Sequence, residues 1–348
     1  MDKSTVLKTF LEKGYQIDSE TLNFFSKDDV AFKKFLLEME TKKLPSTITK
    51  EVVDTLLQND LEIFEAKLEK KPITAEDISK ILLDRFSIIK KILITHLDLV
   101  NLISISKINQ KTKRFSLIGV VTYVDPQSDL VIIADDTGET NLHVDKKSLD
   151  EISVNDVLGF VCEINDSIYV KTVVFPDVPL RRNTKTLTEE KSAVFVNKIT
   201  EDVINWINKQ KMQVYLFTFT HPEILNDVSE QTKIVFVGEG PTFVTLLKMF
   251  SLFLFEGSFL KNVLLNKKID DFLITLFKKR YFNSTLTFDK YLINNAFVLG
   301  DVPDIIVING LNEAIQTNYK GTTLLTVDEN TSWIINLKTR EIIKLSFA

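Results

Sequence analysis

SAVFVNKITEDVINWINKQKMQVYLFTF (192–219) is the stretch on which the architecture turns. A β-branched apolar run gives way to a segment with acids in its first turn and apolar residues at helical spacing, and a second apolar run follows. Strand, helix and strand in this order build a parallel sheet whose strands are covered on both faces. The alternation continues through KIVFVGEG (233–240), NVLL (262–265), DDFLITLFKKRYF (270–282), DIIVING (304–310), TTLLTV (322–327) and SWIINL (332–337). FVTLLKMFSLFLF (243–255) is too short to span a bilayer and contains Lys248, so it reads as a buried helix opened by Pro241.

Upstream, the period changes. RFSLIGVVTYV (114–124), DLVIIADDTGETNLHV (129–144), DVLGFVCEI (156–164) and SIYVKTVVF (167–175) alternate or run apolar, broken by the turn chemistry of DPQSD, DDTGE and NDS. About five strands in this space predict a small closed barrel of the OB-fold type. FPDVPLRRNTKT (175–186), with two prolines followed by polar residues, reads as a hinge between barrel and α/β half.

Toward the N-terminus the reading is short helices. VLKTFLEKG pairs Leu7, Phe10 and Leu11 on one face and stops at Gly14. Ser26 opens SKDDVAFKKFLLEME, Thr49 caps KEVVDTLLQ, and Thr74 opens a long helix after the charged bridge EAKLEKKP. The expected organisation is therefore multidomain α+β: a helical module (1–60), linker helices (61–99), a barrel (100–180) and an α/β domain (181–348).

Composition narrows the function classes. At 44% apolar residues, the 348-residue chain can build substantial cores. Its net charge of −5 lacks the basic surplus of a protein that grips duplex DNA through many phosphates, so contact with DNA is expected to be indirect or weak. One cysteine, Cys162, allows no internal disulfide, and the first residues lack the apolar core of a signal peptide. The expected location is cytoplasmic, with no membrane partner. His96, His143 and His221 stand far apart, so no cluster of imidazoles is in view, and His221 reads as a turn residue.

KIVFVGEGPTF places Gly238-Glu239-Gly240 after a strand, where backbone amides could cradle a phosphate. Phe243 replaces the third glycine of a dinucleotide fingerprint, no P-loop lysine follows, and Glu239 would repel an anion. The barrel loops carry Asp125, Asp129, Asp135, Asp136 and Glu139, with Tyr123 and Tyr169 as the barrel's tyrosines. That pattern favours a protein-binding barrel over single-strand stacking in a basic groove.

Read in order, LEKGYQIDSETLNFF (11–25), LLDRFSIIKKIL (82–93), IGVV, DDTGE, VVFPDVPL (173–180), VPDIIVING (302–310) and SWIINLKTREIIKLSF (332–347) resemble the small subunit of archaeal D-family DNA polymerase. The likeness extends more distantly to the B subunits of eukaryotic replicative polymerases. It implies an OB-fold followed by a calcineurin-like phosphoesterase domain, in which Asp, His and Asn at strand ends hold two metal ions that activate water and polarise phosphate.

By the same resemblance each ligand station is replaced here. Asn197-Lys198-Ile199-Thr200 stands for Asp-x-His, and Thr218-Phe219 for Gly-Asp. Gly238-Glu239-Gly240-Pro241 stands for Gly-Asn-His-Asp, Asn266-Lys267 for His-Gly, and Asn309-Gly310-Leu311-Asn312 for Gly-His-x-His. The implication is a pseudoenzyme with no catalytic residue, metal or cofactor: an accessory scaffold that binds a polymerase large subunit or another replication protein. Phe175, Pro176, Asp177, Val178 and Pro179 are the expected docking edge. A stand-alone single-strand-binding barrel is the alternative. An enzyme of altered chemistry using Asp270, Asp271, Asp301 and Asp304 is the third reading.

Overall fold

The computed structural model describes the chain except at positions 1, 28–31, 33–34, 37–38, 40–43, 51, 54–60, 67–73, 110–112, 180–181, 183, 188, 222–227, 230, 239, 247–249, 263, 265–267, 283–294 and 347–348. It is a mixed α+β protein with several sheets. Two compact units emerge: Met1–Glu62 with Thr245–Met249, and Ile63–Val244 with Phe250–Ala348.

In the first unit, helix α1 (Lys3–Glu12) leads through strand β1 (Gln16–Ile17) to helix α2 (Ser19–Lys27), and β1 pairs in parallel with β2 (Thr47–Ile48). Gly14 adopts φ +80°, where the amides of Gly14 and Tyr15 reach back to Leu11 and Phe10 and end the helix as the sequence implied. The buried face is Val6 and Phe10, while Leu7 and Leu11 are exposed. Phe25 packs 5.1–5.8 Å from Phe10, Phe32 and Phe35, so these clustered rings outcompete the leucines for the interior. Ser26 lies in the last turn of α2 and donates to the Asn23 carbonyl, while most of the helix it was expected to open lies outside the described residues. Thr49 does accept from the Val52 amide.

The second unit begins with strand β3 (Leu61–Glu65, which starts in the first unit), where linker helix was expected, and helix α3 (Ala75–Leu93). Thr74 and Asp77 close a reciprocal capping box on α3. A closed five-stranded barrel follows: β4 (Arg114–Asp125), β5 (Leu130–Asp135), β6 (Gly138–His143), β7 (Val157–Ile164) and β8 (Ile168–Val174), ordered β4-β5-β6-β8-β7. A short helix, α4 (Lys146–Leu149), lies between β6 and β7. Phe115, Leu117, Val131, Leu142, Leu158 and Phe160 fill the interior with Cys162.

Beyond the barrel, strands β9 (Lys191–Val196), β10 (Gln213–Thr218) and β11 (Thr232–Phe236) run parallel, with helix α5 (Glu201–Asn208) between the first two. Strands β17 (Thr331–Asn336) and β18 (Ile342–Ser346) complete this sheet in the order β11-β10-β9-β17-β18. A second sheet is ordered β15-β16-β14-β13-β12-β3, from β12 (Thr242–Leu246), β13 (Phe250–Glu256), β14 (Ile305–Asn309), β15 (Gln316–Tyr319) and β16 (Thr322–Val327). The Trp333 indole of the first sheet donates to the Thr326 carbonyl of the second at 2.7 Å. Helix α6 (Ile269–Lys278) packs Phe272, Leu273, Leu276 and Phe277 into the core it shares with Phe253, Phe255, Ile306 and Ile308.

The buried helix expected over 243–255 is therefore two strands, and Pro241 precedes a strand. A short continuous apolar run does not reveal its period, and Phe, Val and Thr in it suit a doubly covered strand. Of the strand expected at NVLL, Asn262 ends a 3-10 turn (Ser258–Asn262), and the next residues are only partly described.

The Pro-rich junction is packed where it leaves the barrel. Pro176 and Val178 are buried, and Val178 joins the core beneath α6. Arg280, itself at φ +55°, donates to the carbonyls of Pro176 (2.9 Å) and Asp177 (3.2 Å). Asp177 accepts from Tyr319 and Lys320. Of the expected docking edge only Pro179 is exposed; Phe175 and Asp177 are half-buried, with Phe175 against the barrel core.

A buried ionic seam joins barrel, α3 and α6. Lys279 pairs with Asp156 at 2.7 Å and donates to Ser153. Arg85 donates to the Tyr281 hydroxyl at 2.6 Å and to the Asn155 carbonyl, with its guanidinium 3.8 Å from the Tyr281 ring. Burial pushes Asp156 above the ordinary carboxylate value, against the pull of Lys279 and Arg85. It likewise pushes the Tyr281 hydroxyl up to about 12.

Candidate functional site

In parallel sheets, ligands collect at the carboxyl ends of strands. Here the ends of β9, β13 and β14 bring together Asn197, Glu256 and Asn309. Asn309 is 6% exposed, and its Nδ2 donates to Asn197 Oδ1 across the two sheets (3.1 Å) and to Glu256 Oε2 within its own sheet (2.6 Å). The register makes the second contact inevitable, because Glu256 and Asn309 are direct partners on parallel strands.

Glu256 Oε1 accepts the Ser258 amide at 3.1 Å. Thr220 Oγ1 adds a donor to Asn197 Oδ1 at 3.4 Å, and the Gly257 amide binds the Asn309 carbonyl at 2.8 Å. Gly310 follows at φ +82°, and a Cβ there would collide with the Glu256 carboxylate, so both backbone and space call for glycine. Asn309 Oδ1 is buried with no hydrogen-bond partner among the described residues.

The stations singled out in the sequence scatter around this cluster. Lys198 is exposed in the bend after β9. Thr200 caps α5 by accepting the Val203 amide. Phe219 is half-buried after β10, with its amide on the Val196 carbonyl. Gly240 is buried just before β12, and Asn312 is exposed beyond Gly310. Glu239 and Asn266 lie outside the described residues. Among the described residues, the fold joins the first, second and last stations at Asn197, which accepts from the Thr218 hydroxyl on its carbonyl and from Asn309 on its side chain. Glu256 was hidden by the helical reading of 243–255; its position at the end of a continuous apolar run was the one available signal.

The remaining candidate acids and the histidines lie elsewhere in the fold. Asp304 is fully buried: Arg182 pairs with it at 2.8 Å, and the Ser251 amide and hydroxyl donate to it. Asp270 and Asp271 open α6, and Asp301 is exposed in the turn before β14. His221 is exposed 5.1 Å from the Phe236 ring, His143 stacks on Tyr169 in the barrel, and His96 sits 3.4 Å from Asp98. No group of three or more His, Cys, Asp or Glu able to hold a metal ion occurs among the described residues.

The barrel acids serve its turns. Asp135 accepts the amides of Ile105, Thr137 and Gly138 and the Thr137 hydroxyl. Burial alone would raise Asp135, but these donors hold it below the usual carboxylate value. Asp125 accepts from Ser128 and Gln127, and Asp136 pairs with Lys90 at 2.9 Å. A different surface stands open after α3, where Leu97 is 93% exposed, Val100 64% and Ile94 54%. No helix among the described residues is long and apolar enough to cross a membrane.

No family model matches the chain, and no curated protein matches it. The solution structure of the Thermotoga maritima protein TM1076 is similar over 45% of this chain and 98% of its own, at 10% identity and a TM-score of 0.27. So distant a likeness bears on neither fold nor function.

Proposed function

We propose that this protein is a non-catalytic accessory subunit of a replicative DNA polymerase, akin to the D-family small subunit. In this reading the five-stranded barrel is an OB-fold and the two-sheet domain a calcineurin-like phosphoesterase that has lost its chemistry. The observation that carries it is the Asn197–Asn309–Glu256 link: two neutral amides and one carboxylate bond to one another at the strand ends where a phosphoesterase would hold two ions. A dinuclear site needs several anionic or imidazole donors turned toward a shared cavity. A side-chain amide bridging two strand ends supplies the opposite, a donor already occupied.

The exposed run Ile94, Leu97 and Val100 supports a docking role, because contiguous apolar surface on a folded protein marks an interaction site. Affinity purification of the full chain from its native cells should recover a polymerase large subunit. Leu97→Asp should abolish that recovery while leaving thermal unfolding unchanged. Recovery of the chain without any replication protein, or manganese-dependent nuclease activity that Glu256→Gln removes, would overturn the reading.

Tyr123, 51% exposed on the barrel, favours a second reading as a single-strand binder through base stacking. The full chain would then bind oligonucleotides at low salt, and Tyr123→Ala would weaken that binding without altering the polymerase contact.

A further inference from the structure

A second polar site lies at the opposite strand ends of the α/β half: Thr323 pairs with Ile305 at the start of β14, whereas Asn309 ends that strand beside Val327. It is a half-open cleft of about 280 Å³ lined by Thr184, Gln316, Asn318, Thr323, Arg340 and Ile342. At about 30 Å³ per water, it has room for a compact molecule of several heavy atoms beyond a lone solvent molecule. Its lining is dominated by hydroxyls and amides around one guanidinium.

The β17–β18 turn is built to present that guanidinium. Asn336 Oδ1 accepts the amides of Lys338 and Thr339, the Arg340 amide returns to the Asn336 carbonyl, and Arg340 takes φ +63°. A non-glycine residue in this conformation is held there by its surroundings. Arg340 Nη2 then donates to Thr323 Oγ1 (2.9 Å) and to the Asp304 carbonyl (3.1 Å). Thr323 in turn donates to Asn318 Oδ1 at 2.9 Å. Arg340 Nη1 is buried with no hydrogen-bond partner among the described residues. A guanidinium nitrogen left so loses hydrogen-bond energy that an acceptor would restore.

Charge points the same way. Arg182 and Lys185 both face the Asp304 carboxylate, at 2.8 and 3.8 Å, and Arg340 lies against the same residue's carbonyl. Two cations thus share one buried carboxylate, with a third against the same residue's carbonyl, in a chain whose overall charge is −5. Burial presses Arg340 below the ordinary guanidinium value; the Asp304 carboxylate opposes this and the nearby Arg182 adds to it. Guanidinium with flanking hydroxyls and amides is the donor set that recognises carboxylate and phosphate oxygens.

We propose that this cleft binds a small molecule through a phosphate or carboxylate group, with Arg340 as the recognising cation and Thr184, Thr323, Gln316 and Asn318 as its polar frame. The site is independent of the subunit reading and requires no reaction. The test is calorimetric titration of the full chain with inorganic phosphate and, separately, with malonate, at constant ionic strength set by chloride. Saturable binding of one of them at one site per chain is expected, and the stronger ligand identifies phosphate or carboxylate as the natural group.

Arg340→Gln should weaken that binding at least tenfold. Should Arg340→Gln unfold the hairpin, Gln316→Glu carries the test: it stands at an exposed position of β15 and brings a negative charge to the cleft, and it too should weaken binding at least tenfold. Phosphorus line broadening on adding the protein to phosphate reads the same event independently. Neither anion binding more tightly than chloride, or Gln316→Glu binding as well as the parent chain, would overturn the proposal.

Discussion

At the strand ends of the α/β half, one carboxylate sits among neutral amides and a backbone N–H; in the seam beneath α3, a carboxylate, an ammonium and a guanidinium are all withdrawn from water. Glu256 is half-buried, whereas Asp156 is 4% exposed, Arg85 1% and Lys279 6%. The chain therefore concentrates buried charge at a structural joint and keeps it low where a hydrolase would concentrate it. Active sites usually hold the perturbed groups. Here the strongly desolvated acid and its cationic partner fasten the barrel to the α/β half.

The largest effect should come from breaking the seam. Asp156→Ala leaves the Lys279 ammonium buried without its partner and should cost about 3–5 kcal/mol in urea unfolding. Replacing both, Asp156→Leu with Lys279→Met, should recover much of the loss. If the double variant is no more stable than the single one, the pair is not what the joint depends on.

The strand ends can be sharpened in the opposite sense. Asn309→Asp sets a second carboxylate against Glu256, with a cost of about 2–4 kcal/mol at neutral pH from like-charge repulsion. Manganese should restore part of the lost melting temperature in this variant and leave the parent chain unmoved. Equal manganese stabilisation of both proteins would mean that the native cluster already binds the ion.

A smaller effect belongs to the barrel turn. Asp135→Asn should cost about 1–2 kcal/mol at pH 7 through weakened hydrogen bonds. Because the folded state holds Asp135 below its ordinary value near 3.8, its contribution is complete above that pH and is lost as pH falls through the folded value. Stability curves of parent and variant should accordingly converge in acid, as followed by circular dichroism. Least of all should change on treating Cys162 with a thiol reagent. Burial pushes this thiol up to about 12, so labelling should proceed no faster than global unfolding.

The barrel strands were legible because their polar breaks, DPQSD, DDTGE and NDS, are turn chemistry that flanking residues cannot override. Thr74 and Gly14 were legible for the same reason: a capping hydroxyl and a left-handed glycine act locally. What escaped was set by distant partners. The 243–255 run is apolar but for Thr245, Lys248 and Ser251, and its division into β12 and β13 depends on neighbouring strands. PDVPL looks like a linker until Arg280, about a hundred residues on, is seen to hold its carbonyls. Glu256 and Asn309 are 53 positions apart and meet only through parallel register. At the candidate site, the amides of Asn197 and Asn309 could be read from the sequence, but not that they bond to each other and to Glu256.

The seam also dictates how the molecule can be dissected. A fragment cut to the barrel alone would take Asp156 away from Lys279 and Arg85 and would bare Leu99, Ile118, Val157 and Val174, which share a core with α3 and α6. Poor solubility of such an excised piece would report lost cover rather than lost function. Truncations meant to map ligands or partners should preserve everything from Thr74 through Tyr281 as one continuous piece.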